Sequence, residues 1–201
     1  MTKIKLCGMK RVIDIQTANA LKADYIGFVF WQKSKRFISE EDAAALKAIL
    51  APEIAAVGVF VDEEPETIAG LLNRGIIDIA QLHGNEDEDY IRQLRSLTDK
   101  PLIKAFRIRE AKDLEAAAIC SAESVLLDAG QGEGIAFDWK LIRDFSRPYL
   151  LAGGLNPENV SEAIVQLHPF AVDVSSGIES SGLKDAEKMA AFVKAVRKET
   201  L

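Results

Sequence analysis

Eight short runs of β-branched, aliphatic or aromatic residues recur along the chain, and their spacing is what most limits the folds open to it. The runs are Lys3–Cys7, Tyr25–Phe30, Ala56–Val61, Ile79–Leu82, Leu102–Phe106, Ser124–Leu127, Tyr149–Ala152 and Ala171–Val174. Most begin about 22 to 25 residues apart, which is the length of one strand, two short loops and one helix. Each run is followed by a longer helical pattern. Glu40–Leu50 follows Ser39, whose hydroxyl suits an N-cap, and Pro157–Gln166 follows Asn156 with proline at the first helical position. Asp185–Lys198 places Met189, Phe192, Val193 and Val196 on one stripe and carries basic residues in its last turns.

Strand and helix alternating throughout predict a parallel sheet covered by helices. Eight near-equal units favour an α/β fold of the closed (β/α)₈ TIM-barrel type over an open doubly wound sheet. The open alternative also lacks its fingerprint. Gly130-Gln131-Gly132-Glu133-Gly134 would need a further glycine where Ile135 stands. At 201 residues the units fill the chain, so one barrel domain over residues 1–201 is expected. No segment approaches the ~20 apolar residues of a membrane span. The N-terminus interleaves charges with apolar residues, unlike a secretory signal, so a cytoplasmic location without membrane partners is expected. A net charge of −6 without basic stripes argues against nucleic acid as partner. Nothing in the sequence distinguishes a monomer from a homodimer.

In such barrels chemistry sits in the loops after the strands. The loops after strands seven and eight, Gly153-Gly154 and Ser175-Ser176-Gly177, resemble a phosphate cradle of backbone amides and hydroxyls, with no lysine or arginine in either. Cys7 ends the first strand. A free cysteine is ordinarily a small buried hydrophobe, but strand alternation puts Lys3, Lys5 and Cys7 on one face and Ile4 and Leu6 on the other. The apolar pair suits the helix layer, which turns Lys5 and Cys7 inward, where the lysine can favour the thiolate. Asp173 has comparable geometry on the eighth strand, so a Lys5–Asp173 pair beneath the site is expected. Asp128 closes an apolar strand, either as a cap or as a desolvated proton donor. Arg36, within Lys33-Ser34-Lys35-Arg36, belongs either to a solvated basic loop or to a fork for a carboxylate. His83 and His168 are too few for a metal triad, and His83 suits a hydrogen bond in the barrel. Cys120 has no evident partner, and Asn159-Val160-Ser161 reads as a helix fragment.

Taken in order, these segments resemble the phosphoribosylanthranilate isomerase family of tryptophan biosynthesis. The resemblance runs from Lys5 to Asp185. It rests on Lys5-Leu6-Cys7-Gly8, Gly27-Phe28-Val29-Phe30 with Lys33-Ser34-Lys35-Arg36, Val57-Gly58-Val59-Phe60-Val61 and Gln81-Leu82-His83-Gly84. It continues through Leu127-Asp128, Phe137-Asp138-Trp139, Leu151-Ala152-Gly153-Gly154-Leu155 and Asp173-Val174-Ser175-Ser176-Gly177-Ile178-Glu179. The resemblance implies a cofactor-free, metal-free Amadori rearrangement of a small phosphorylated substrate bearing an anthranilate carboxylate. It implies Asp128 as general acid, Cys7 as general base, Arg36 on the carboxylate, and Gly153, Gly154, Ser175, Ser176 and Gly177 around the phosphate. Lys35 replaces the family's usual proline, implying a freer loop, and Glu133 replaces a usual threonine, implying a side chain turned to solvent. The alternatives are another sugar-phosphate isomerase or epimerase barrel, for which strand-end metal ligands or an aspartate at position 7 would be expected, and a non-catalytic barrel binding a phosphorylated ligand.

Overall fold

A computed structural model describes residues 1–129 and 139–198. Eight parallel strands close into a barrel in sequence order. They are β1 Lys3–Cys7, β2 Tyr25–Val29, β3 Ala55–Phe60, β4 Ile79–Leu82, β5 Leu102–Arg107, β6 Ser124–Asp128, β7 Tyr149–Ala152 and β8 Ala171–Val174. Helices α1 Val12–Leu21, α2 Glu40–Lys47, α3 Pro65–Asn73, α4 Glu88–Arg95 and α5 Ala111–Ile119 follow the first five strands, and α6 Val160–Leu167 and α7 Ala186–Lys198 follow the last two. Between β6 and β7 the described residues form only a 3₁₀ turn, Trp139–Leu141, where a full helix is expected from the repeat. A two-residue antiparallel hairpin, β9 Glu179–Ser180 with β10 Leu183–Lys184, leads from β8 into α7.

The helix boundaries follow local chemistry. Ser39 Oγ accepts from Asp42 N and caps α2 as its sequence predicts, but the helix tightens beyond Lys47 into i→i−3 bonds from Ile49 and Leu50. Asn156 does act as a cap, its Oδ1 accepting from Glu158 N and Asn159 N. It caps a turn over residues 157–159, and α6 itself begins three residues later than the proline suggests. Asp185 lies just outside α7, with Oδ1 accepting from Glu187 N and Lys188 N.

Side-chain alternation sorts each strand between two layers. Ile4 and Leu6 pack with the helices in the large outer core, while Val57, Ile103, Ala105, Leu126, Leu150, Ala152 and Ala171 fill the barrel interior. Above this plug Cys7 packs with Val29 and Val59. The barrel closes by pairing β1 with β8, in a register that sets Lys5 beside Asp173. Lys5 Nζ donates to both carboxylate oxygens at 3.0 Å, and its side chain is fully buried. Burial alone drives an ammonium's pKa down. The charge and hydrogen bonds of Asp173, with a smaller contribution from Cys7, outweigh that here and hold Lys5 above its ordinary value.

Removing one partner leaves the other charge buried and unmatched. Lys5→Met is therefore expected to lower unfolding stability by about 3–5 kcal/mol in urea denaturation. The double substitution Lys5→Met/Asp173→Leu is expected to recover most of the loss, whereas equal losses in both proteins would deny the pair this role.

Candidate active site

The strand ends open into a cavity of about 420 Å³. Cys7, Arg36, Asp128, Gly153, Gly154, Ser175 and Ser176 all line it, although they come from five separate strand–loop junctions. Gln81, His83 and Arg107 complete the polar lining, with Trp31, Val29, Val59 and Leu155 as apolar wall. A neighbouring cavity of about 340 Å³ is walled by Asp62, Glu63, Glu64, Glu86 and Asp87, and so repels anions. Glu133, like the rest of residues 130–138, lies outside the described residues. Among the described residues no group of three or more His, Cys, Asp or Glu is placed to hold a metal ion.

Cys7 is 6% exposed, at the top of β1. The neighbouring strand allows it that place because Gly27 has no side chain: a Cβ there would fall 2.6 Å from Cys7 Sγ. Burial pushes the thiol above its usual value. Lys5 and Lys184 pull it down, and Asp173 pushes it up again. Lys5 does favour the thiolate, in the expected direction, but Asp173, 3.0 Å from the same ammonium, offsets part of that pull and burial outweighs the rest.

Asp128 ends β6 opposite Arg107 in the β5 register. Its Oδ2 lies 3.4 Å from His83 Nε2, and Gln81 Nε2 stands 2.8 Å from His83 Nδ1. His83 thus belongs to the site, beyond the barrel hydrogen bond expected of it. A search for metal triads passes it over, whereas its place at the end of β4 marks it. Two proton arrangements fit this row. With the Gln81 amide donating to Nδ1, the ring proton sits on Nε2 and faces an ionised Asp128. With the amide turned over, Nδ1–H donates to Oε1 and Nε2 accepts from a protonated Asp128. The second arrangement gives Gln81 Oε1 a partner that it lacks in the first.

Arg36 reaches the mouth from the loop after β2, but part of its fork is in use. Nε donates to Glu179 Oε1 at 2.6 Å and Nη2 to Oε2 at 2.9 Å. That leaves Nη1 and the outer Nη2 hydrogen to meet a guest carboxylate. In the loop that carries Lys35, Ser34 N donates to Trp31 O, Phe37 N to Ser34 O, and Lys10 Nζ to Lys35 O.

On the cradle side, Gly153 and Gly154 adopt positive φ of 99° and 66°, a turn closed to most side chains. Gly177 stands behind the lining, where a Cβ would lie 1.9 Å from Leu155 O, so its bareness lets loops seven and eight touch. Ser175 is already engaged. Its hydroxyl donates to Cys7 O at 3.1 Å and accepts from Lys184 Nζ at 3.2 Å. A cation does approach the cradle, therefore, supplied by the β9–β10 hairpin rather than by either loop.

Comparison with known proteins agrees with this architecture. Residues 4–195 match the family described as N-(5'phosphoribosyl)anthranilate (PRA) isomerase. An N-(5'-phosphoribosyl)anthranilate isomerase of Endomicrobium trichonymphae is 42% identical over 98% of this chain and 99% of its own. One from Thermoanaerobacter sp. (strain X514) is 43% identical over 98% of each. Among solved structures, phosphoribosyl anthranilate isomerase from Thermotoga maritima superposes with a TM-score of 0.91 at 40% identity, covering 98% of this chain and all of the other. A second such enzyme, solved in complex with reduced 1-(o-carboxyphenylamino)-1-deoxyribulose 5-phosphate, gives 0.88 at 40% identity, with 98% of this chain and all of the other covered. The chain belongs to the N-(5'-phosphoribosyl)anthranilate isomerase family.

Proposed function

We propose that this chain is the isomerase of tryptophan biosynthesis that converts N-(5'-phosphoribosyl)anthranilate to 1-(2-carboxyphenylamino)-1-deoxyribulose 5-phosphate, without metal or organic cofactor. The observation that carries the reading is the single cavity in which a thiol, a carboxyl, a guanidinium and two glycine- or serine-rich loops face one another. The ligand of the solved relative has a phosphate at one end and a carboxylate at the other, as that cavity requires. Gly153, Gly154, Ser176 and the amides around Ser175 and Gly177 take the phosphate. The free edge of Arg36 takes the anthranilate carboxylate. A Thermotoga maritima relative is described as dimeric, which favours a homodimer over a monomer.

The chemistry divides between two groups. Asp128 gives its proton to the furanose ring oxygen as the C1–O bond breaks, leaving an iminium between C1 and the anthranilate nitrogen. Cys7 thiolate removes the proton from C2, and the electron pair moves to form the C1–C2 double bond while the nitrogen regains its lone pair. The resulting enolamine loses the proton of its 2-hydroxyl and gains one at C1, which yields the ketone. His83, next to Asp128 and held by Gln81, serves the first step by donating Nε2–H to the carboxylate left when Asp128 has given up its proton.

Turnover is followed by the loss of anthranilate fluorescence with the substrate generated in situ. Cys7→Ser and Asp128→Asn are each expected to slow it on the order of 10²- to 10⁴-fold. Unchanged turnover in Cys7→Ser would remove the thiol as base. Arg36→Met is expected mainly to raise KM, because the carboxylate contact is equal in ground and transition states. The pH profile carries a separate signature, since kcat/KM reports groups ionising in the free enzyme. Burial raises the Cys7 thiol and the ionised form is the active one, so kcat/KM should still be climbing above about pH 8.5, the usual thiol value. A plateau already reached at neutrality would contradict this assignment.

A further inference from the structure

Cys7 as base needs a positive charge that is not already spent. The charged groups around it come from every neighbouring element. Lys5 lies on its own strand and Asp173 on β8, Lys184 and Glu179 lie on the β9–β10 hairpin, Arg36 comes from the loop after β2, and His83 and Asp128 line the far wall. Lys5 shares its charge with Asp173, both of whose oxygens lie 3.0 Å from the ammonium, and its remaining pull on the thiol does not offset burial. The second cluster carries a surplus, because one carboxylate serves three cations: Glu179 accepts from Arg36 at 2.6 and 2.9 Å and from Lys184 at 2.7 Å, with Lys35 Nζ 3.9 Å away.

Lys184 is the member of that cluster built into the floor beside Cys7. Its side chain is 2% exposed, so water screens it little. Nζ donates to Ser175 O at 2.8 Å and to Ser175 Oγ, the hydroxyl that in turn donates to Cys7 O. A Cβ on Gly8, the residue after Cys7, would stand 3.3 Å from this ammonium. The hairpin exists to deliver it: Ser181 and Gly182 turn at φ 52° and 78°, Lys184 pairs with Glu179 in register, and Arg11 Nη2 donates to Lys184 O at 2.5 Å. A neutral donor would satisfy the Ser175 carbonyl equally well. Burying an ammonium there instead costs desolvation, which pulls Lys184 below its ordinary value despite Glu179.

We propose that Lys184 is a positioning residue for the Cys7 base: its unscreened ammonium favours the ionised thiol, and Glu179 sets how much of that charge Cys7 feels. This rests on the reading of Cys7 as base, and the two are separable by experiment. In a Cys120→Ser background, which leaves Cys7 as the only thiol, the Cys7 ionisation is read in substrate-free protein from the pH dependence of iodoacetamide alkylation. The acid limb of kcat/KM is measured in parallel. Lys184→Met should move the thiol transition upward by about one pH unit or more. Lys184→Arg should restore most of it, which lost packing alone would not predict. Glu179→Gln should move the transition downward, a sign independent of whether the Lys184→Met protein folds. An unmoved thiol in Lys184→Met, equal shifts in Met and Arg, or an upward shift in Glu179→Gln would each overturn the proposal. A thiol that shifts as expected while the kcat/KM limb stays put would uphold Lys184 as its tuner and remove Cys7 as the base.

Discussion

The Lys5–Asp173 ion pair is the point on which the barrel and its mouth both depend. It sits where the last strand meets the first, so it is formed only when all eight strands have closed in the right register. A one-residue slip of either strand would turn its charge toward the apolar helix layer and leave the other unmatched inside the barrel, so the pair selects against misregistered closure. It also forms the floor under Cys7. By sharing the charge of Lys5 with Asp173, the seam leaves a buried thiol whose ionisation Lys5 favours less than burial opposes, so a further cation above it has work to do.

That division of labour accounts for the layout of the mouth. Below lie the apolar plug and the neutralised seam. Above lies a ring of strand-end loops in which, among the described residues, Arg36 and Lys184 share Glu179 and Arg107 lies opposite Asp128 in the strand register. The chain as a whole carries −6 and its neighbouring acidic cavity repels anions, so these cations mark the side on which a doubly anionic ligand would settle.

Much of this was legible in the sequence, and for a physical reason. Side chains on a strand alternate, and a closed barrel makes the first and eighth strands neighbours, so Lys5 and Asp173 could be paired from two short strings of letters. The strand-end rule likewise gathered Cys7, Asp128, Arg36 and the cradle loops before any coordinates. The missing parts obey no period. A two-residue strand such as Leu183–Lys184 has no alternation to read, and the only trace of the hairpin is the Ser181-Gly182 turn dipeptide. The partners of Arg36 and Ser175 lie over a hundred residues away or on that hairpin. His83 was visible but was judged against metal chemistry instead of against its place at the end of a strand. Between β6 and β7 the described residues show a 3₁₀ turn and no longer helix, because the repeat is a statement about spacing, which such a turn can also help to span.

The Arg36–Glu179 bidentate contact has a consequence for the whole catalytic cycle. Substrate and product of an Amadori rearrangement keep the same carboxylate, so a bare guanidinium would grip the departing molecule as firmly as the arriving one. A guanidinium that already owns a ligand within its own chain binds a guest by sharing and gives it up without being left naked. Because Glu179 stays on the Nε edge throughout, a departing guest would leave the guanidinium still matched by a charge of its own chain.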